Sequence, residues 1–242
     1  MGTGGSGTIF FAYCHLHCVF CQNYTISQLG EGSPVTSAQL AAMMLSLQER
    51  GCHNVNLVSP SHVVPYILEA LDIAAGRDLD IPLVYNSSGY DAVETLQLLD
   101  GVVDIYMPDM KYADDKTAEQ LSGVKGYPAI NRAAVKEMHR QAGDLRISDQ
   151  GIAERGLLVR HLVLPEGLAG SGDILRFIAE EVSPETYVNI MAQYRPEYRA
   201  HEFPRIARRL RAGEFREVID RARRHGLRRL DRDYSALPLA SW

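Results

Sequence analysis

The sequence has little cysteine, no long apolar run and no excess of positive charge, and each shortage excludes a class of protein. Four cysteines in 242 residues are too few for a disulfide scaffold, which is usually shorter and richer in cysteine. No apolar stretch approaches about 18 residues, so no transmembrane helix is expected. Residues 1–11 carry no positive region and no apolar stretch of signal-peptide length, which predicts a cytoplasmic protein. The net charge of −5 argues against a protein that coats nucleic acid.

What is present is an ordinary globular composition arranged in a repeating pattern. Hydrophobic residues make up 46% and charged residues 23% of the chain, which is typical of a folded domain. Six short apolar segments alternate with helical patterns, and this alternation predicts βαβ units and a parallel sheet. The predicted strands are Thr8–Tyr13, Asn54–Val58, Ile81–Asn86, Val102–Met107, Leu157–Leu164 and Tyr187–Met191. We therefore predict an α/β fold, an incomplete (β/α)6 TIM-like barrel, with a doubly wound open sheet as the alternative.

No linker divides the chain, so residues 1–242 are predicted to form one domain that ends in a basic helical extension, 195–242. From Arg195 to Arg232 the sequence has thirteen arginines and six acidic residues. Two helices are expected there, Pro204–Arg211 and Glu214–His225. The basic face is either a solvated surface with i,i+4 ion pairs or a dock for an acidic partner. Aromatic residues are scarce among the arginines of the last helix, so the sequence does not favour binding of nucleic acid by stacking on its bases.

Polar residues lie on or just after the carboxyl end of every predicted strand, and in either fold the carboxyl ends of parallel strands meet at one mouth. A hydrophobic core needs no polar groups there, so we expect a functional site at that end. The residues concerned are Cys14, Cys18, Cys21, Ser59, Ser61, His62, Asn86, Ser87, Ser88, Asp109, Lys111, Arg160, His161, Gln193, Tyr194 and Arg195.

The cysteine cluster carries the most specific signal. Cys14, Cys18 and Cys21 are spaced C-x3-C-x2-C directly after the first strand. Three thiolates on one loop can bind three irons of a [4Fe–4S] cluster and leave the fourth iron open to a small molecule. Zinc is the alternative, with His15 or His17 as a fourth ligand. Cys52 stands apart and is expected to be a small buried apolar residue.

With Phe20 before its last cysteine, this loop resembles that of the radical S-adenosylmethionine superfamily. The segment Gly5–Tyr24 is similar to the branch related to pyruvate formate-lyase-activating enzyme, and within it to the activating-enzyme-like group. Asn54–His62 and Leu157–Pro165 also resemble segments of that group. The likeness extends from about Gly5 to about Asp231, and only the cysteine motif is specific to the superfamily as a whole.

The resemblance implies a [4Fe–4S] cluster and S-adenosylmethionine as cofactors. In such enzymes the reduced cluster cleaves S-adenosylmethionine to methionine and a 5′-deoxyadenosyl radical, which abstracts hydrogen from the substrate. The implied partners are a polypeptide such as a glycyl radical enzyme, or a small molecule, together with a low-potential donor such as flavodoxin or ferredoxin. Two other interpretations stay open: a non-catalytic iron–sulfur electron-transfer or metal-binding module, and an RNA-modifying radical enzyme that docks through its arginines.

The family's functional positions carry over one by one. Cys14, Cys18 and Cys21 match the cluster ligands, and Phe20 matches an aromatic position near the adenine. Polar contacts to S-adenosylmethionine are implied for Asn86, Ser87, Asp109, Lys111 and Arg160. A cationic Lys111 or Arg160 is suited to a carboxylate.

Two departures from the family pattern affect these expectations. Many relatives bind the amino group of S-adenosylmethionine through a Gly-Gly-Glu segment after the second strand, where this chain has Ser59-Pro60-Ser61-His62. Ser59 and Ser61 are therefore the candidates to replace it. Relatives also usually begin with an extra cysteine-containing region, so this chain is either naturally short or trimmed. His62 and His161 either orient a ligand or are hydrogen-bonded structural imidazoles.

Overall fold

A computed structural model describes residues 4–231, and its core is a sheet of six parallel strands. The sheet order is β1-β2-β3-β4-β6, with β7 parallel to the other edge of β6 and the short β5 forming an antiparallel hairpin with the start of β6. This confirms the predicted α/β class with parallel strands. The strands are β1 (Gly7–Phe10), β2 (Val55–Val58), β3 (Leu83–Asn86), β4 (Ile105–Tyr106), β5 (Arg146–Ile147), β6 (Ala153–Leu162) and β7 (Tyr187–Met191).

Helices connect the parallel strands, and local capping chemistry fixes several of their ends. They are α1 (Tyr24–Ser27), α2 (Ser37–Glu49), α3 (Val64–Ala75), α4 (Val93–Gln97), α5 (Asp115–Ser122), α6 (Tyr127–Ala142), α7 (Ser171–Phe177) and α8 (Ala212–Arg224). Thr36 caps α2 in a capping box with Gln39, and the Asp114 carboxylate accepts from Thr117 N at 2.8 Å to cap α5. Among the described residues, no helix has the length and apolarity needed to cross a bilayer.

Alternate residues of the strands face the helices, and the others face the barrel interior. Leu57 and Tyr85 are buried on the helix side, within two apolar clusters that fill the space between sheet and helices. Interior positions are more polar and include Asn56, Asn86 and Arg160. Within residues 4–231, no strand pair joins β1 to β7, so the barrel is open on one side.

Beyond Arg195 the structure corrects one expectation. The helix predicted from Glu214 to His225 is present as α8, whereas Pro204–Arg211 is not helical. The buried Tyr194 hydroxyl donates to the Ile206 carbonyl at 2.7 Å, so that carbonyl is taken by a side chain instead of a helical N–H. After α8 the chain pairs with β7 through Leu230 and Val188. The part of the predicted extension beyond residue 231 lies outside the described residues.

Candidate functional site

The cysteine loop lies across the carboxyl end of the barrel and is anchored to the end of α5. His17 N donates to Ser122 O and Val19 N donates to Leu121 O, both at 2.9 Å. From the other side, Gln28 Nε2 donates to Leu16 O at 3.0 Å. These bonds fix the loop backbone on both flanks, so the positions of its thiols are set by the fold.

The thiols of this loop lie in a shielded but cationic environment. Cys18 is buried, whereas Cys14 and Cys21 are partly exposed. Burial raises the pKa of Cys18 to about 11 and also raises the pKa of Cys14. Lys111 acts in the opposite direction on both thiols because its ammonium favours the thiolates. The thiolate is the form that binds metal. Lys111 and a metal bound to the cysteines would therefore both favour the thiolate over the thiol.

A chain of charged and polar side chains lies beside this loop at the ends of three strands. Lys111 Nζ is 2.5 Å from Asp109 Oδ2, and Arg160 Nε is 3.4 Å from Asp109 Oδ1. Arg160 Nη1 donates to Asn86 Oδ1 at 2.9 Å. The structure thus brings together Asn86, Asp109, Lys111 and Arg160, four of the predicted residues. With two cations and one carboxylate, the network carries a net charge of +1.

Asp109 is the centre of this network and is held from several sides. Burial opposes its ionisation, but Lys111 and Arg160 outweigh burial and hold the pKa of Asp109 below its usual range. Burial likewise disfavours the ammonium of Lys111, and Asp109 more than compensates, so the pKa of Lys111 is raised. Between residues 4 and 231, no group donates a hydrogen bond to Asp109 Oδ1. One carboxylate oxygen therefore has unused acceptor capacity.

The backbone around Asp109 is positioned by residues that the sequence analysis did not single out. Asn131 Nδ2 donates to the carbonyls of Gly89 and Asp109, at 3.0 and 2.9 Å. The Tyr127 hydroxyl lies 3.1 Å from the Asp109 carbonyl and accepts from Lys111 N at 3.0 Å. Both residues come from α6, about twenty positions along the chain, and no spacing in the sequence connects them with the site.

Other predicted site residues lie outside the charged network. Phe20 is 5% exposed and packs edge-on against Tyr194 in the apolar cluster under the cysteine loop. Ser87 donates to Asp91 at 2.7 Å and accepts from Gly89 N, so its hydroxyl organises the turn after β3. The side chain of Ser61 is hydrogen-bonded to the Tyr85 hydroxyl. A contact of these three side chains with S-adenosylmethionine stays a prediction.

The second-strand segment has an unusual backbone conformation at its first residue. Ser59 has a φ of 58°, in the left-handed region that is uncommon for residues other than glycine. Its N–H donates to the Asn86 carbonyl at 3.0 Å, which joins it to the end of β3. Ser59 therefore adjoins the strand that carries one member of the charged network.

The structure distinguishes the two histidines that the sequence left open. His161 is fully buried, with Nδ1 2.6 Å from the Met110 carbonyl and Nε2 2.8 Å from Ser171 Oγ. Burial lowers its pKa, and both ring nitrogens are occupied, so it is a structural imidazole. His62 Nε2 donates to the Ala12 carbonyl at 2.8 Å, just before the cysteine loop.

The remaining histidines and cysteine do not join the thiols of the loop. His15 contacts the His62 ring edge-on, and His17 Nδ1 is 2.9 Å from Gln28 Oε1. Cys52 is partly buried and not fully buried as expected, since it lies in the turn that follows α2. This turn is at the opposite end of the sheet from the cysteine loop.

Comparison with known proteins gives the family. A family model described as the radical SAM superfamily matches residues 8–152. An uncharacterized protein of Methanocaldococcus jannaschii is 36% identical over 230 residues, which cover 92% of this chain and 63% of that protein. The chain thus spans slightly less than two thirds of the length of the curated relative it matches.

Solved structures support the fold. Methylornithine synthase (PylB) superposes with a TM-score of 0.60 at 18% identity, covering 93% of this chain and 64% of that one. Streptococcus suis SuiB bound to precursor peptide SuiA superposes with a TM-score of 0.59 at 12% identity, covering 90% of this chain and 46% of that one. At sequence identities this low, the superpositions show a shared fold and nothing about function.

The donor set on the cysteine loop fits an iron–sulfur cluster. Three thiols on one anchored loop are soft ligands of the kind that such clusters take. Within residues 4–231, no three Cys, His, Asp or Glu side chains are gathered closely enough to ligate one metal ion. Each thiolate of a four-iron cluster binds a different iron, so the three sulfurs need not converge on a single point.

Proposed function

From the premise that the chain belongs to the radical SAM superfamily, we propose that Cys14, Cys18 and Cys21 ligate its cluster. The protein is a radical SAM enzyme, and its cofactors are a [4Fe–4S] cluster and S-adenosylmethionine. The observation that carries the ligand assignment is the position of the three thiols, on one loop at the carboxyl end of the barrel and beside a cationic side chain.

The charged network is proposed to bind the methionine part of S-adenosylmethionine. When bound, the reduced cluster supplies one electron that cleaves the sulfonium bond and yields the 5′-deoxyadenosyl radical. Lys111 and Arg160 offer donors to the methionine carboxylate, as charge-assisted hydrogen bonds. Asp109 holds both cations in place.

The walls of the site are suited to keeping water away from reactive intermediates. Tyr112, Tyr127, Tyr194 and Phe20 form an apolar cluster with Cys18 beneath the loop. Each of these aromatic side chains is at most 5% exposed. Because such a wall excludes water, it strengthens the charged contacts next to it and limits side reactions.

For the substrate we propose a polypeptide, as in the activating-enzyme-like group. The support is the resemblance of Gly5–Tyr24 to that group and the open side of the barrel, where β1 and β7 do not pair within residues 4–231. SuiB, one of the structural neighbours, is bound to a precursor peptide. A small molecule is the competing class. The proposed electron source is a low-potential donor such as flavodoxin or ferredoxin, in the cytoplasm, where thiols stay reduced.

The arginines of the C-terminal segment do not favour a nucleic acid substrate. Five of those in the described part of the segment have carboxylate partners. These are Arg195, Arg199, Arg205, Arg208 and Arg221. Arg221 lies on α8, and its i,i+4 pair with Glu217 is typical of a solvated helical face.

The experiment that tests the proposal is anaerobic reconstitution with iron and sulfide, followed by addition of dithionite and S-adenosylmethionine. We expect 5′-deoxyadenosine by mass spectrometry, and its loss with the cluster in Cys14→Ala, Cys18→Ala and Cys21→Ala. Cys52→Ala is the matched control and should keep both. A cluster that is reduced but yields no 5′-deoxyadenosine would indicate an electron carrier. Failure of Cys52→Ala to form a cluster would show that the ligand set is wrong.

The network is tested separately by the affinity for S-adenosylmethionine. Lys111→Gln should weaken binding about ten- to a hundredfold while iron content stays normal, because hydrogen bonds to charged groups contribute about 1.5–3 kcal/mol. Lys125→Gln is the control, since that side chain is 83% exposed and its ion pair among the described residues is with Glu119. Equal affinity in Lys111→Gln and the wild type would remove Lys111 from the binding site.

A further inference from the structure

Two of the three loop thiols each contact a buried serine hydroxyl. Ser122 Oγ lies 3.0 Å from Cys18 Sγ, and Ser27 Oγ lies 3.0 Å from Cys21 Sγ. The serines are 0% and 9% exposed, so water does not compete for these contacts. Ser122 is 104 residues from Cys18, which means that the tertiary fold creates this contact.

A second polar group orients each serine. The Tyr112 hydroxyl is 2.7 Å from Ser122 Oγ, and Gln28 Nε2 donates to Ser27 Oγ at 3.2 Å. A cysteine bound to iron is a thiolate and has no proton to donate. The serine protons must therefore point at the sulfurs, and Tyr112 and Gln28 donate to the serine oxygens in turn. Burial raises the pKa of Tyr112, so its phenol keeps the required proton.

Reduction changes the strength of such bonds. One electron from the low-potential donor makes the cluster more negative by one unit, and part of that charge lies on the cysteine sulfurs. A hydrogen bond to a sulfur stabilises the more negative state more strongly, and such bonds are known determinants of cluster potentials. The hydroxyls that donate hydrogen bonds to the sulfurs would thus favour the reduced form of the cluster.

We propose that Ser122 and Ser27 tune the cluster by donating hydrogen bonds to Cys18 and Cys21, which raises its reduction potential. The inference rests on the proposed ligand set. Cys14 accepts a hydrogen bond from the Leu16 backbone, and among the described residues no side-chain hydroxyl or amide donates to it, so tuning by side chains acts on two of the three ligands. Tyr112 and Gln28 are positioning residues, because each acts only through a serine.

The test is a redox titration of the reconstituted full chain without oxygen, followed by electron paramagnetic resonance. Ser122→Ala and Ser27→Ala should each lower the equilibrium constant for reduction about three- to tenfold, which is about 30–60 mV for one electron. Tyr112→Phe should give a smaller shift in the same direction, because the Ser122 hydroxyl stays but is no longer oriented. Ser171→Ala is the control: its buried hydroxyl is hydrogen-bonded to His161 and, within residues 4–231, to no thiol, so the potential should not change.

Resonance Raman spectra provide a readout that does not depend on turnover. Loss of a hydrogen bond to a ligand sulfur should shift the iron–cysteine stretching bands in Ser122→Ala and Ser27→Ala, and leave them unchanged in Ser171→Ala. If Ser122→Ala fails to fold, Ser27→Ala and Tyr112→Phe decide the question.

The outcomes separate this inference from the proposal beneath it. Variants with normal iron content and a wild-type potential would overturn the tuning role and leave the three cysteine ligands untouched. A wild-type chain that binds no four-iron cluster would overturn the ligand set itself.

Discussion

Removal of the Asp109 carboxylate should destabilise the protein, because it would leave two cations facing each other. Lys111 and Arg160 both point at Asp109, and the three side chains are 17%, 28% and 17% exposed. Breaking a fully buried ion pair by deleting one partner costs about 3–5 kcal/mol. The residual exposure reduces this, so we expect Asp109→Asn to lower the free energy of unfolding by about 2–3 kcal/mol.

The assay is denaturant unfolding of the metal-free chain without oxygen, followed by circular dichroism. The double variant Asp109→Asn with Lys111→Gln removes one charge of each sign and should recover about 1–2 kcal/mol relative to additivity. Asp173→Asn is the control, because its ion pair with Arg176 is more than half exposed and should matter by less than about 0.5 kcal/mol. A loss no larger in Asp109→Asn than in Asp173→Asn, with an additive cycle, would refute the reasoning.

Two further predictions concern the backbone near the site and the C-terminal segment. Gly89 has a φ of 69°, and a Cβ there would lie 2.2 Å from Asn131 Nδ2. Gly89→Ala should therefore cost about 2–3 kcal/mol more than Gly101→Ala, which has a similar φ and open space; equal costs in melting experiments would contradict the steric argument. A hydrogen bond from Arg208 lowers the pKa of Glu214 to about 2, although burial of the carboxyl acts in the opposite direction. Because this stabilisation is complete above the ordinary pKa of 4.5 and disappears as the pH falls towards 2, Glu214→Gln should be less stable by about 1–2 kcal/mol at neutral pH. The difference from the wild type should shrink between pH 5 and pH 3, and a gap independent of pH would exclude the linkage.

The sheet was predictable because buried parallel strands are short apolar runs between helical patterns. The apolar segments Asn54–Val58 and Tyr187–Met191 differ from β2 and β7 by at most one residue. The segment from Val102 to Met107 was harder, since only Ile105 and Tyr106 pair as a regular strand. Beyond them the chain still pairs with β6, through the bridge between Asp109 and Arg160.

The C-terminal segment shows where local propensity fails. Pro204–Arg211 has a helical composition, yet polar groups of this segment, in the backbone and in side chains, have partners outside it. Tyr194 takes the carbonyl of Ile206, and Arg208 pairs with Glu214 of α8. Such partners are distant in sequence or specific to the packing, so periodicity alone does not detect them.

The site was predictable only where its residues lie at the carboxyl ends of strands or just beyond them. Asn86, Asp109, Lys111 and Arg160 come together because parallel strands end at one edge. The supporting residues Ser122 and Asn131 lie on helices α5 and α6, far along the chain from the groups they contact. Only the three-dimensional packing of those helices against the strand ends identifies them.

The central claim is that three cysteines hold a four-iron cluster with one iron open to S-adenosylmethionine. Electron paramagnetic resonance of the reconstituted, dithionite-reduced chain, with and without S-adenosylmethionine, tests this most directly. We predict about four irons per chain and a signal whose g values shift when S-adenosylmethionine is added. A chain that binds zinc and no cluster, or a cluster signal that S-adenosylmethionine leaves unchanged, would contradict the account.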